Sequence, residues 1–237
     1  MKYKILPFLV FILFHLVNCE KEKSNPDHGT FRDSRDNHEY NWVLIGNQVW
    51  MAENLAYLPS VNPSSVGSDT MPCYYVYGYE GYNTDEAKAS EHNLNYGVLY
   101  NWAAAMNGQK SSDSNPSGVQ GVCPDGWHLP GAAEWEQLVD FVTNDGWEDS
   151  VGAALKADNS WLPDGNGVDI YGFSARGSGY RHTVTDFYDS GARGYWWTAT
   201  EYNEERSVYY YLFFYGPGIN RSHFFITGGF CIRCVKD

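Results

Sequence analysis

The chain has 237 residues, 43% of them hydrophobic, which is enough for one buried core, and nothing in it reads as a second domain. A formal charge of −13 argues against nucleic acid and anionic headgroups as partners, because the surface repels phosphate. Aromatics at 17%, with 19 tyrosines and 24 glycines, favour short twisted strands and turns over a helical bundle.

The N-terminus reads as a targeting segment. Lys2 and Lys4 precede the apolar run Ile5 to Leu16, too short to span a bilayer as a helix, and Cys19 follows Leu16-Val17-Asn18. Residues 1–18 are therefore expected to be a lipoprotein signal peptide with Cys19 the lipidated residue. Asn18 departs from the small residue that usually precedes such a cysteine, which leaves ordinary secretory cleavage as the alternative. Export is the expectation in both cases. Residues 19–38 are polar, with few apolar side chains, and read as a flexible lipid-anchored tether. The domain is expected over 39–237.

Trp42 to Ile45 and Gln48 to Trp50, either side of Gly46-Asn47, predict a β-hairpin. Residues 58 to 95 show no sustained period and read as a long loop, of the kind that is functional or pinned by a crosslink. A short helix is predicted over Leu99 to Met106, where Trp102 and Met106 share a face. The organising stretch is Gly121 to Glu136: a cysteine, a Pro-Asp-Gly turn, a short strand and a helix start, with no spare residues. Trp135, Leu138, Val139 and Val142 recur at i, i+3, i+4 and i+7, so residues 131 to 144 are a helix, with Gly131 as N-cap and Glu134 returning a bond to it. Val151 to Lys156 predicts a weak helical turn, followed by a glycine-rich segment to Gly179. Four strands follow, at Tyr195 to Thr200, 207 to 215, 222 to 226 and 230 to 235, spaced as an antiparallel meander. In the second of these Val208, Tyr210, Leu212 and Phe214 face the core, and Tyr209, Tyr211, Phe213 and Tyr215 face away. The fold class is α+β, with twisted antiparallel sheets, two main helices and long irregular loops.

Four cysteines remain after Cys19: Cys73, Cys123, Cys231 and Cys234. In an exported chain they are expected as disulfides. Cys231 and Cys234 lie three apart in a predicted strand, roughly 10 Å from each other at about 3.3 Å per residue, so they do not pair together. Two schemes then stay open. Zinc is not expected, with one C-x-x-C and no histidine pair at ligand spacing. Asp164, Asn166 and Asp169 have the spacing of a calcium loop without its closing glutamate. No nucleophile elbow, Walker loop, dinucleotide fingerprint or zinc-protease motif occurs. His128 reads as structural.

The stretch VCPDGWHLPGAAEWEQL resembles the signature of the Fibrobacter succinogenes major paralogous domain, a family of bacterial surface proteins, many of them lipoproteins. IGNQVWMAENLAY at 45 to 57, YGVLYNWAAAM at 96 to 106, YGFSARGSGYR at 171 to 181, YWWTATE at 195 to 201 and GFCIRCVKD at 229 to 237 resemble its other blocks, in order. More distantly, LPGAAEWE with the closing GF…RC is similar to the sulfatase-modifying, formylglycine-generating family, which implies a C-type-lectin-like fold. The resemblance implies the pairs Cys123–Cys234 and Cys73–Cys231. It also implies a bacterial outer-membrane or cell-surface location, and with no catalytic motif found the expected role is binding or adhesion without catalysis. The runner-up is a divergent sulfatase-modifying enzyme, whose chemistry needs a reducible cysteine pair.

The expected partner is an extracellular glycan or surface protein, with membrane contact only through the lipid, and with no nucleic acid, metal or cofactor. Aromatic faces suit sugar rings, and lectin-like folds place their sites on long loops and adjoining strands. Tyr180, Arg181, His182, Trp197 and Glu201 combine aromatic faces, donors and a carboxylate near the loops 58 to 95 and 158 to 194. They are the candidate ligand contacts.

Overall fold

The computed structural model describes residues 27–183 and 186–237. The expected signal peptide, Cys19 and the first part of the tether lie outside them. The domain begins earlier than residue 39, however. Strand β1 (His28–Arg32) pairs antiparallel with β2 (Glu39–Ile45), setting Phe31 opposite Tyr40. The few apolar atoms of this segment suffice because Phe31 stacks on Trp127, with ring centroids 4.4 Å apart. Asp33 is buried, and Arg35 grips its carboxylate while donating to the Val122 carbonyl at 2.9 Å. The polar composition that reads as tether thus hides an anchored edge strand.

β3 (Gln48–Met51) returns from β2 through Gly46, whose φ of 62° suits a tight turn and glycine. The pairing of Val43 with Trp50 and Leu44 with Val49 bears out the expected hairpin. Inside the expected loop 58 to 95 lie β4 (Tyr74–Tyr75) and two short helices, α1 (Thr84–Lys88) and α2 (Glu91–Tyr96), capped by the side chains of Asn83 and Ser90. β5 (Leu99–Tyr100) pairs with β4. One buried amide pins this region. Asn101 Oδ1 accepts the Cys73 and Ala104 backbone N–H groups at 2.8 and 2.9 Å, while its Nδ2 donates to Ser68 O and Met71 O. Helix α3 (Trp102–Met106) starts at that cap, later than expected, because Leu99 and Tyr100 are already committed to a strand.

β6 (Trp127–His128) leads into α4 (Ala132–Val142). Trp135, Leu138 and Val142 are buried, and Glu134 Oε2 accepts the Gly131 N–H at 2.9 Å, as the sequence specifies. The same oxygen accepts the Ser117 N–H at 2.9 Å, and Oε1 meets His128 Nε2 at 2.6 Å. A π-helical turn at Thr143–Trp147 and α5 (Val151–Leu155) close the helical part. Two strands unseen in the sequence follow, β7 (Ser178–Arg181) and β8 (Phe187–Ser190). Then come β9 (Arg193–Asn203), β10 (Arg206–Phe213) and β11 (Ile219–Phe225).

Two five-stranded sheets result, ordered β1-β2-β3-β12-β6 and β11-β10-β9-β7-β8, β12 being Val235–Lys236. The meander holds for β9, β10 and β11 but not for its expected fourth strand. Residues 230–235 thread between the sheets instead. Phe230 exchanges backbone bonds with Tyr100, Cys231 bonds Tyr195 and Trp197, Ile232 accepts from Leu55, and Cys234 accepts from Met51. Serving both sides, the segment has no side left for solvent, and Phe230, Cys231, Ile232, Arg233, Cys234 and Val235 are all buried. One apolar cluster gathers around Trp50, Trp135, Phe173 and Trp196, the other around Tyr40, Tyr100, Trp197 and Phe230.

Cys123 and Cys234 form the expected disulfide. Cys73 and Cys231 do not pair, and both are buried free thiols. The threaded path turns Cys231 Sγ to the Asn54 amide at 3.3 Å and toward the Tyr96 carbonyl, and Asn101 fixes the Cys73 backbone elsewhere.

Candidate functional site

The second sheet carries an aromatic face on the side opposite Trp196 and Tyr210. It follows from the two-residue period of strands, which puts Tyr209, Tyr211 and Phe213 of β10 on one side and the buried Val208, Tyr210 and Leu212 on the other. Phe230 sits at its centre, 4.8 Å from Tyr209, 5.0 Å from Tyr195 and 5.3 Å from Phe224, centroid to centroid. Tyr180 packs beside them, 4.9 Å from Tyr195. Along β10 the rings form a ladder: Tyr209 to Tyr211 is 5.5 Å, Tyr211 to Phe213 5.0 Å and Phe213 to Tyr215 5.0 Å.

The inner rings are buried, while Tyr209, Tyr211, Phe213, Phe224 and His182 are half-buried and Tyr188 and Tyr215 are exposed. The face is therefore a continuous aromatic surface rather than a sealed core. Burial holds the phenols of Tyr180, Tyr195 and Tyr209 above their ordinary range, so they remain neutral hydroxyls at physiological pH.

A polar corner adjoins the ladder. Asp189 Oδ2 accepts from the Tyr195 hydroxyl at 2.6 Å and from Arg193 Nη1 at 3.0 Å. The Arg193 guanidinium lies over the Phe213 ring, 4.4 Å from its centroid. Donor, acceptor and aromatic faces are thus grouped at one end of β9 and β10.

The structure divides the expected contacts. Tyr180 and His182 join the aromatic face, 6.0 Å apart and both against Phe224. Arg181 does not, for it alternates to the interior and is 1% exposed. Its Nε and Nη2 donate to Ser64 O at 2.9 and 2.7 Å and its Nη1 to Thr227 O at 2.8 Å, so it is framework. Trp197 is fully buried under Phe230, its indole N–H on Tyr100 O at 2.8 Å, and is framework as well. Glu201 is exposed near the far end of β9, within 3.4 Å of the Ser111 hydroxyl, away from Asp189 and Arg193. Asp169, in the calcium-like spacing, spends its carboxylate on the Ser174 N–H and hydroxyl.

The residues missed were Tyr188 and Asp189 of β8, a strand too short to show a period, and Arg193, which opens β9 two residues before the expected start at Tyr195. The ladder itself was visible as the outward half of the β10 alternation.

Architecture and site together define a mixed α+β domain, mostly sheet, with an aromatic outer face. The Fibrobacter succinogenes major domain (Fib_succ_major) matches residues 43–236, and the chain belongs to that family. No curated protein and no solved structure matches it significantly.

Proposed function

We propose that this is an exported, lipid-anchored surface module that binds an extracellular glycan through the aromatic face of its second sheet, without catalysis. The observation that carries the reading is the ladder of half-buried Tyr209, Tyr211 and Phe213 and exposed Tyr215 beside the Asp189–Arg193 pair. Rings at about one sugar's advance apart suit an extended polysaccharide, and the polar corner suits its hydroxyls. Export is supported by the charged and apolar order of residues 2 to 16 before Cys19, and by a disulfide between Cys123 and Cys234. No helix among the described residues is long and apolar enough to cross a membrane.

The C-type-lectin-like architecture belongs to the same proposal, supported by two twisted sheets beside one main helix with a long-range disulfide. Against a sulfatase-modifying chemistry stand Cys73 and Cys231, both buried. Burial pushes the Cys231 thiol up to about 12, away from a reactive thiolate.

Binding to immobilised polysaccharides tests the face. The paired change Tyr211→Ser and Phe213→Ser is expected to abolish retention while the protein stays folded, with a melting temperature lowered by the loss of two half-buried rings, and retention undiminished by it would refute the site. Cys19→Ser is expected to move the protein from the membrane to the soluble exported fraction, and unchanged membrane retention would refute the anchor.

A further inference from the structure

A second, separate site lies against the first sheet. Two adjoining clefts, of about 320 and 550 Å³, share Glu53 and Arg176 in their walls. The region sets Lys88, His38 and Arg176 beside the carboxylates of Asp36, Glu53 and Asp169. Beneath it lies a fourth cation. Arg233 is fully buried and has only neutral partners, donating to the carbonyls of Met51 and Phe173 and, at 2.8 Å, to Oδ1 of the cleft-lining Asn54.

The carboxylates nearby have partners of their own, Asp36 Oδ1 accepting the His38 N–H at 3.0 Å. Glu53 Oε1 accepts the Asn41 N–H and side-chain amide at 2.8 and 3.0 Å, and its Oε2 faces His38 at 3.7 Å. Asp169 is held by Ser174. Arg176, by contrast, donates one bond, from Nη1 to Asn95 O at 3.0 Å, and forms no ion pair among the described residues. A guanidinium fork with spare donors above a buried cation is a carboxylate receptor.

The rest of the lining fits hydroxyl groups. Asn37 and Asn95, both exposed, border the first cleft and offer side-chain amides that can donate to and accept from hydroxyl groups. The half-buried Trp42 supplies an aromatic wall to the second cleft.

We infer that the Glu53–Arg176 cleft binds a carboxylate-bearing polyhydroxylated molecule, of which a uronic acid is the simplest case, with Arg176 clamping the carboxylate and the asparagines meeting the hydroxyls. The site does not depend on the aromatic face.

Titration calorimetry of the purified protein with D-glucuronate, D-glucose and acetate tests it. Glucuronate is expected to bind at millimolar concentration or tighter, glucose and acetate each at least tenfold more weakly. Arg176→Gln is expected to weaken glucuronate at least tenfold, whereas Lys110→Gln, at an exposed cation outside both clefts, leaves it unchanged. On the unmutated protein, glucuronate is expected to shift the Arg176 Nε–Hε resonance, which keeps the test decisive if the variant fails to fold. No binding, glucose binding as tightly as glucuronate, or an unmoved Arg176 resonance would each overturn the inference.

Discussion

The imidazole of His128 is 3% exposed, with a carboxylate at each ring nitrogen: Glu134 Oε1 at 2.6 Å from Nε2 and Asp237 Oδ1 at 2.8 Å from Nδ1. Burial alone would lower its pKa. The hydrogen bonds and charges of Glu134 and Asp237 outweigh that and hold it above its ordinary value. A group whose folded pKa is raised contributes its full stability below its unfolded value, about 6.5 for histidine, and loses it as pH rises through the folded value. The two contacts are unequal. Asp237 is 61% exposed in its side chain, so screening leaves that pair below about 1 kcal/mol. The bond to buried Glu134 is charge-assisted and contributes about 1.5–3 kcal/mol. His128→Gln is therefore expected to cost about 2–3 kcal/mol near pH 5.5, or about 4–12 °C in melting temperature for a domain of this size. Thermal unfolding followed by circular dichroism, near pH 5.5 and near pH 9, checks it. The unmutated protein should lose stability between the two, and the variant should lose much less. Equal losses in both proteins, or a variant gap that does not shrink at high pH, would refute the reasoning.

Removing the disulfide as Cys123→Ser with Cys234→Ser is expected to cost up to about 4–5 kcal/mol, read by denaturant titration, because the bridge closes a loop of 111 residues. In the intact protein Cys73 and Cys231 should react with a thiol reagent only after denaturation, and a peptide map joining them would contradict the structure. Arg181→Ala is expected to cost about 3 kcal/mol, since it removes a buried side chain and its bonds to the carbonyls of Ser64 and Thr227, with glycan affinity of the folded protein unchanged. Trp197→Ala should cost about 3–5 kcal/mol in the same melting assay.

What the sequence made legible were features whose cause is local. The helix at Ala132–Val142 declares itself through its apolar period and its Glu134 cap, and the hairpin through Gly46-Asn47 between apolar runs. The outward aromatic half of β10 was equally plain. Features whose cause is distant were not. Residues 28 to 38 look like tether until Phe31 meets Trp127 and Arg35 meets Val122, 87 positions away. Arg181 and Tyr180 are neighbours in a motif that looks like one site, yet a strand sends them to opposite sides, and only the sheet decides which side is interior. The Glu53–Arg176 cleft joins residues more than a hundred positions apart and leaves no local trace.

The threaded segment 230–235 has a consequence for how the protein folds and unfolds. Both sheets close on it, through Tyr100 and Tyr195 on one side and Leu55 and Met51 on the other. Both apolar clusters take residues from it, Cys231 and Val235 in one and Phe230, Ile232 and Cys234 in the other, so neither is complete until the segment is in place. Its dependence on long-range contacts also makes folding slow. Because both sheets bond this one segment, loosening it opens the two clusters together, and the domain is expected to unfold as a single cooperative unit.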